Sequence, residues 1–219
     1  MRDVFHHELD SIADQLVEMT GLAGSAIASS TKALLEADLV LAESVIAADV
    51  QIDRLQRDLD DRATELLARQ QPVATDLRVV VSSLRMSVTL ERMGDLARHV
   101  SKLARLRFPE HAIPAELEPT FREMGDVAER IAIKAGRVIS TRDLDVAAEI
   151  EVDDDELDRL HRHVFATLMS GEWDHPVAAT VDVTLCSRYY ERFGDHAVSL
   201  ARRVGFLVTG RWNQHVPSP

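Results

Sequence analysis

One phrase occurs twice in this chain and limits what it can fold into: Glu91-Arg-Met-Gly-Asp95 and Glu191-Arg-Phe-Gly-Asp195. Glu, Arg, Gly and Asp recur at a shift of 100 residues, and earlier in the chain a second register appears. There a shift of 105 pairs Asp38 with Asp143, Leu39 with Leu144, Ala42 with Ala147, Asp49 with Asp154 and Asp53 with Asp158. Two registers without a break inside either describe one duplicated unit whose second copy is five residues shorter between them.

The unit reads as three helices. Phe5, Leu9, Ile12, Leu16 and Met19 recur every three or four positions in a first helix from about Val4 to Glu36. Asp38 caps a second helix to about Arg69, and Pro72 opens a third from Val73 to about Leu106. Phe108 to Pro114 holds two prolines and no period. Helices follow from about Leu117 to Ser140, from Asp143 to near Gly171, and from Val177 to about Val208. The expected fold is all-α: two tandem antiparallel three-helix bundles, 1–107 and 116–209, joined by a linker at 108–115, with a loose tail at 210–219. The shortfall of the second copy is expected mostly in the last helix or where its alignment starts, because Pro72 and Pro176 differ by 104.

Composition removes several classes of function. A net charge of −12 argues against nucleic acid as the main partner. The single cysteine, Cys186, excludes an internal disulfide, fits a reducing compartment, and reads as buried and inert. No apolar run approaches the ~20 residues of a spanning helix, and the first residues lack a signal-peptide core, so a cytosolic protein is expected. Glycine-rich phosphate loops, nucleophile elbows and useful Cys–His spacings are absent.

The acids carry the chemistry. Leu39, Ala42 and Ile46 form an apolar seam whose next positions are Asp49 and Asp53. Leu77, Val81, Leu84 and Val88 form another, continued by Glu91 and Asp95. Residues four apart share a helix face, and like charges there repel by a few tenths of a kcal/mol. Equal distances from the Pro72 turn bring Asp49, Asp53, Glu91 and Asp95 to similar heights, and Asp154, Asp158, Glu191 and Asp195 repeat the set. Such clusters are stabilised by hard cations (magnesium, calcium, manganese or iron) or are solvated and paired with Arg54, Arg92, Arg159 and Arg192. His99, four residues past Asp95, can add a nitrogen ligand where the second copy has Ser199, so the first cluster is expected to hold metal more tightly. His6 and His7 read as solvated, and Glu172-Trp-Asp-His175 as an accidental match to the Glu-x-x-His of di-iron bundles. Mid-helix Gly94 and Gly194 indicate close helix packing or room for a ligand.

Gln71-Pro-Val-Ala-Thr-Asp-Leu-Arg78, leading into Leu90-Glu-Arg-Met-Gly-Asp95, resembles the PhoU family, accessory proteins of phosphate-specific transport, from about Val4 to Val208. The resemblance implies a cytosolic adaptor, not an enzyme, between the ATPase of the phosphate ABC transporter and a sensor histidine kinase. It would repress phosphate uptake and the phosphate-starvation response, and homodimers are common in the family. The resemblance also implies iron-type, zinc, manganese or magnesium ions at the two acidic clusters, and partner contact at Arg92 and Arg192. The family's pattern continues from Asp to an Asn four residues on, where this chain has His99 and Ser199. The rival of another class is a carboxylate-bridged di-metal helical-bundle enzyme, and a third reading is a helical scaffold without a ligand.

Overall fold

A computed structural model describes residues 2–212, with side chains from His7 onward. Six long helices account for most of it: α1 (Arg2–Glu36), α2 (Leu39–Gln70), α3 (Ala74–Arg107), α4 (Glu118–Thr141), α5 (Leu144–Leu168) and α6 (Val177–Thr209). Asp38 and Asp143 cap α2 and α5 as their positions predict. Asp38 accepts from the Leu41 amide at 2.9 Å, and Asp143 from the Asp145 and Val146 amides at 3.0 and 3.3 Å. Pro72 lies two residues ahead of α3, whose N-cap is Val73.

Helices α1, α3, α4 and α6 form a central four-helix bundle, with α2 laid along α1 and α3, and α5 along α4 and α6. The two triplets therefore share one continuous core. In α1, Ile12, Leu16, Met19, Ala23 and Ile27 are buried at helical spacing; in α4, Phe121, Met124, Ala128, Ile131 and Ala135 are. Small residues let α1 and α4 close together, since a Cβ on Gly125 would lie 2.4 Å from Thr31 Cγ2 and one on Gly136 2.6 Å from Thr20 Oγ1. The segment between α3 and α4 is anchored to this core, with Ala112, Ile113 and Leu117 all buried. Thr31 of α1 and Tyr190 of α6 share a buried hydrogen bond of 2.8 Å across the repeats. From the start of its last helix to the motif Glu, the second copy is three residues shorter than the first, which places most of the shortfall where expected.

Helices α3 and α6 run antiparallel. Arg78 lies over Phe206 at 5.3 Å, His99 packs on Tyr189 with ring centroids 5.2 Å apart, and Arg107 pairs with Asp182 at 2.5 Å. The apolar seam of α3 differs from the predicted one. Leu77 and Val88 are 40% and 46% exposed, and the buried row runs through Val80, Ser83, Ser87, Leu90, Gly94, Ala97 and Ser101. Contact with α1, α2 and α6 buries α3 on most sides, and its buried serines hide that from a hydrophobic period; Ser87 donates to its own helix at Leu84 O, 2.8 Å away. The tail prediction concerns mainly residues 213–219, outside the described residues; Trp212 itself packs edge-on against Phe206 at 5.8 Å.

Candidate functional site: two acidic clusters on adjoining helices

Because α3 and α6 cross near their middles in opposite directions, the two motifs lie next to each other, each facing its own outer helix. Glycine sets the depth of each contact. A Cβ on Gly94 would stand 2.7 Å from Ile52 Cδ1 and 3.3 Å from Asp49 Oδ1 of α2. A Cβ on Gly194 would stand 2.2 Å from Asp154 Oδ1 and 2.9 Å from Leu157 Cδ1 of α5. The duplicated Asp–Ile/Leu pair thus packs on the duplicated Gly, which is close helix packing and also points one carboxylate of each outer helix at the motif.

In the first half the four predicted carboxylates do converge. Asp49 is 7% exposed, and its charge is felt together with those of Asp53 and Asp95. Glu91 lies close enough to Asp95, and to Asp53 beyond it, for their charges to add to burial in raising its proton affinity. Burial pushes Asp49 and Glu91 above the usual carboxylate range; Arg98 opposes this at Asp49 and Arg92 at Glu91. Arg98 is the residue that sequence reasoning missed. It bridges Asp49 at 2.5 Å and also binds Asp95, while Arg92 reaches Asp95 at 3.1 Å and Glu91 at 3.5 Å. Its signal was available: Arg98 lies three residues past Asp95, on the same face. His99 is turned to Tyr189, and burial lowers its proton affinity, with Lys102 acting in the same sense and Asp95 against.

The second half has the same acids and a different counter-charge. The position matching Arg98 is Val198, which is buried. Arg188 instead pairs with Glu191 along α6, and the one ion pair of Asp158 among the described residues is with Arg162, at 3.9 Å. Among the described residues Asp154 has no basic partner, and its Oδ1 is shut off from solvent without a hydrogen bond, as is Glu191 Oε2. Burial, followed by the charges of Asp195, Asp158, Asp155 and Glu191, pushes the Asp154 carboxyl up to about 7. Glu191 is also raised, by burial first and then Asp195, with Arg188 opposing. Ser199, opposite His99 in the repeat, is half-buried.

Arg92 and Arg192 are both exposed, Arg192 without an ion pair among the described residues, and His196 lies within reach of both charges. Of the other predicted partners, Arg159 pairs with Glu123 at 2.8 Å, and Arg54 forms no ion pair among the described residues. His7 is exposed, and His6 falls outside the described side chains. Glu172–His175 lies in the turn before α6, with His175 bonded to Glu116 at 2.6 Å. Cys186 is buried and its thiol is pushed far up by burial. No three or more His, Cys, Asp or Glu side chains among the described residues stand arranged to hold a metal ion in this conformation.

A duplicated helical triplet with one acid-Arg-x-Gly-acid motif per copy, set side by side at the centre of the bundle, defines a class of all-α proteins. The PhoU domain matches the chain twice, over residues 16–104 and 121–204. The chain belongs to the PhoU family. It is 51% identical over 210 residues to the phosphate-specific transport system accessory protein PhoU homolog 2 of Mycobacterium tuberculosis (strain ATCC 25618 / H37Rv), covering 96% of this chain and 99% of that protein. The PhoU homolog 1 of Mycobacterium leprae (strain TN) is 49% identical over 96% of this chain and 95% of its own length. The crystal structure of PhoU from Pseudomonas aeruginosa superposes with a TM-score of 0.85 at 29% identity, covering 94% of this chain and all of that one.

Proposed function

We propose that this chain is a cytosolic negative regulator of phosphate uptake and of the phosphate-starvation response. It acts as an adaptor between the ATPase subunit of a phosphate ABC transporter and a sensor histidine kinase, and works as a homodimer. The observation that carries the reading is the family's domain, matched in both halves of a chain whose closely similar relatives are named accessory proteins of phosphate-specific transport. Exposed Arg92 and Arg192, at the centre of the α3–α6 face, supply the directional contacts for a partner. No described helix is long and apolar enough to cross a membrane, so the membrane is reached through those partners.

The test is genetic and biochemical together. Deletion of the gene is expected to raise transcription of phosphate-uptake genes in abundant phosphate, restored by the wild type and not by Arg92→Ala with Arg192→Ala. Repression that persists after deletion, with no homologue in the cell, refutes the reading.

A second reading concerns metal, and a specific observation favours it at one cluster. The orphaned oxygens of Asp154 and Glu191, with the charges of Asp158 and Asp195 beside them, offer oxygen donors alone, which a hard cation such as manganese, magnesium or iron would take by drawing them together from the present conformation. The first cluster suits one less, because the Arg98 guanidinium already supplies positive charge between Asp49 and Asp95, His99 faces Tyr189, and zinc would lack its preferred nitrogen ligand. The order of affinity we propose is therefore the reverse of the one expected from His99. Titration with Mn²⁺ followed by anomalous scattering tests it, and occupancy at the first cluster alone would overturn it.

A further inference from the structure

The α3–α6 face carries an arrangement of charge that the acidic clusters do not explain. His99 packs on Tyr189 across it, and one and two steps of seven residues along the antiparallel helices Arg92 falls level with His196 and Arg85 with Arg203, near enough for each pair's charges to act on one another. The first two pairs have partners in the motif or in each other's rings. The last does not. Arg85 and Arg203 form no ion pair with any Asp or Glu among the described residues, although the protein carries a net charge of −12.

Arg203 is also partly withdrawn from water. Its guanidinium carbon stands 5.5 Å over the Trp212 ring, and its Nε is closed off from solvent with no hydrogen-bond partner. Burial, and then the charge of Arg85, push it below the usual guanidinium value. A desolvated Nε–H facing a second cation is costly unless an acceptor is supplied. Arg78, nearby, is accounted for otherwise: it stacks over Phe206 and lies against Gly210 at the C-terminal end of α6, where the helix dipole favours a cation. At the position of Arg85 in the second copy stands Leu185, and at that of Arg203 stands Leu103, so the pair belongs to one end of the bundle only.

We propose that Arg85 and Arg203, walled by Trp212, bind a multiply charged phosphate oxyanion. Planar guanidinium forks match the geometry of phosphate oxygens and give charge-assisted bonds. Trp212 is 56% exposed, so its ring senses occupancy. The shared chemistry is the phosphate group, and its two sources are free inorganic phosphate and a polyphosphate chain.

The experiment uses the full chain carrying Trp173→Phe, which leaves Trp212 as the sole tryptophan reporter. Its emission is followed while inorganic phosphate, tripolyphosphate, or sodium chloride of matched ionic strength is added. Saturable change with either phosphate species is expected, the species identifying the source. Affinity should fall about tenfold or more in Arg85→Gln, the loss of one charged hydrogen-bonding partner. Arg85 is exposed, so this variant keeps the fold, and an unchanged melting temperature verifies it. Several results overturn the proposal: no change with either phosphate species, an equal change with sodium chloride, an affinity unaltered by Arg85→Gln, or binding confined to phosphatidylglycerol vesicles.

Discussion

Replacing Asp154 by Asn should stabilise the protein at high pH and leave it unchanged at low pH. Folding moves this carboxyl from an ordinary 3.8 to about 7, through burial first and the neighbouring acids second. An acid with raised proton affinity in the folded state contributes nothing adverse while protonated in both states. It withdraws stability progressively as pH climbs from about 3.8 to about 7. At ~1.36 kcal/mol per tenfold change in proton affinity, the displacement has a ceiling of about 4 kcal/mol. Asp154 is only partly buried and shares its protons with Asp158, Asp195 and Glu191, so solvent screening and coupling reduce this to roughly 1–2 kcal/mol. For a chain of this size that corresponds to a rise of roughly 3–6 °C in melting temperature. Thermal melts in chelator at pH 4 and pH 8 read it directly. The reasoning fails if Asp154→Asn lowers stability at pH 8, or if the difference from wild type is the same at both pH values. Manganese added at pH 8 should then raise the wild-type melting temperature above that of the variant.

Arg98→Ala leaves Asp49 buried without its cation and should cost roughly 2–4 kcal/mol in chemical denaturation, with Asp49→Asn in the same background restoring part of it. The same variant opens the first cluster, so manganese should protect it from unfolding where it does not protect that cluster in wild type. Gly125→Ala drives a Cβ into Thr31 and should cost about 1–3 kcal/mol, whereas Gly21→Ala, with nothing within 4 Å, should stabilise by up to about 1 kcal/mol. Tyr190→Phe removes the buried hydrogen bond between the repeats while Thr31 keeps its bond to Ile27 O, and should cost about 1 kcal/mol in the same assay.

The helices were legible because each is long, ends at a capping Asp, a Pro or a Gly, and carries an apolar period; α1 and α4 follow theirs through the core. The convergence of Asp49, Asp53, Glu91 and Asp95 was legible for a related reason, since distance from a turn fixes height on an antiparallel neighbour. The side of α3 that turns inward was not. Four of its buried positions are serines, and Leu77 and Val88 mark an outer stripe that mimics a core seam. The role of Arg98 was legible only in part: spacing places it beside Asp95, but its other partner, Asp49 on α2, is 49 residues away and only the packing on Gly94 brings the two helices close enough.

The duplication makes each half a control for the other. Both copies keep the Asp on the outer helix, the Gly that admits it, and the Glu and Asp of the motif, so the acids are a property of the repeat. What differs is the answer to their mutual repulsion. In the first copy the chain supplies its own cation, Arg98, one helical turn past the motif. In the second, that position is Val198, buried and unable to reach any carboxylate, and burial together with the remaining repulsion raises the proton affinity of Asp154. An uncompensated cluster can be neutralised by a proton or by a metal ion, and the two compete for the same oxygens. Metal binding at the second cluster should therefore release protons below about pH 7 and cease to do so above it, while the first cluster, neutralised from within, stays silent. Proton release measured against manganese added, in wild type and in Asp154→Asn, separates the two halves in a single titration. Equal release from both proteins would mean that the unpaired oxygen of Asp154 is not where the cation goes.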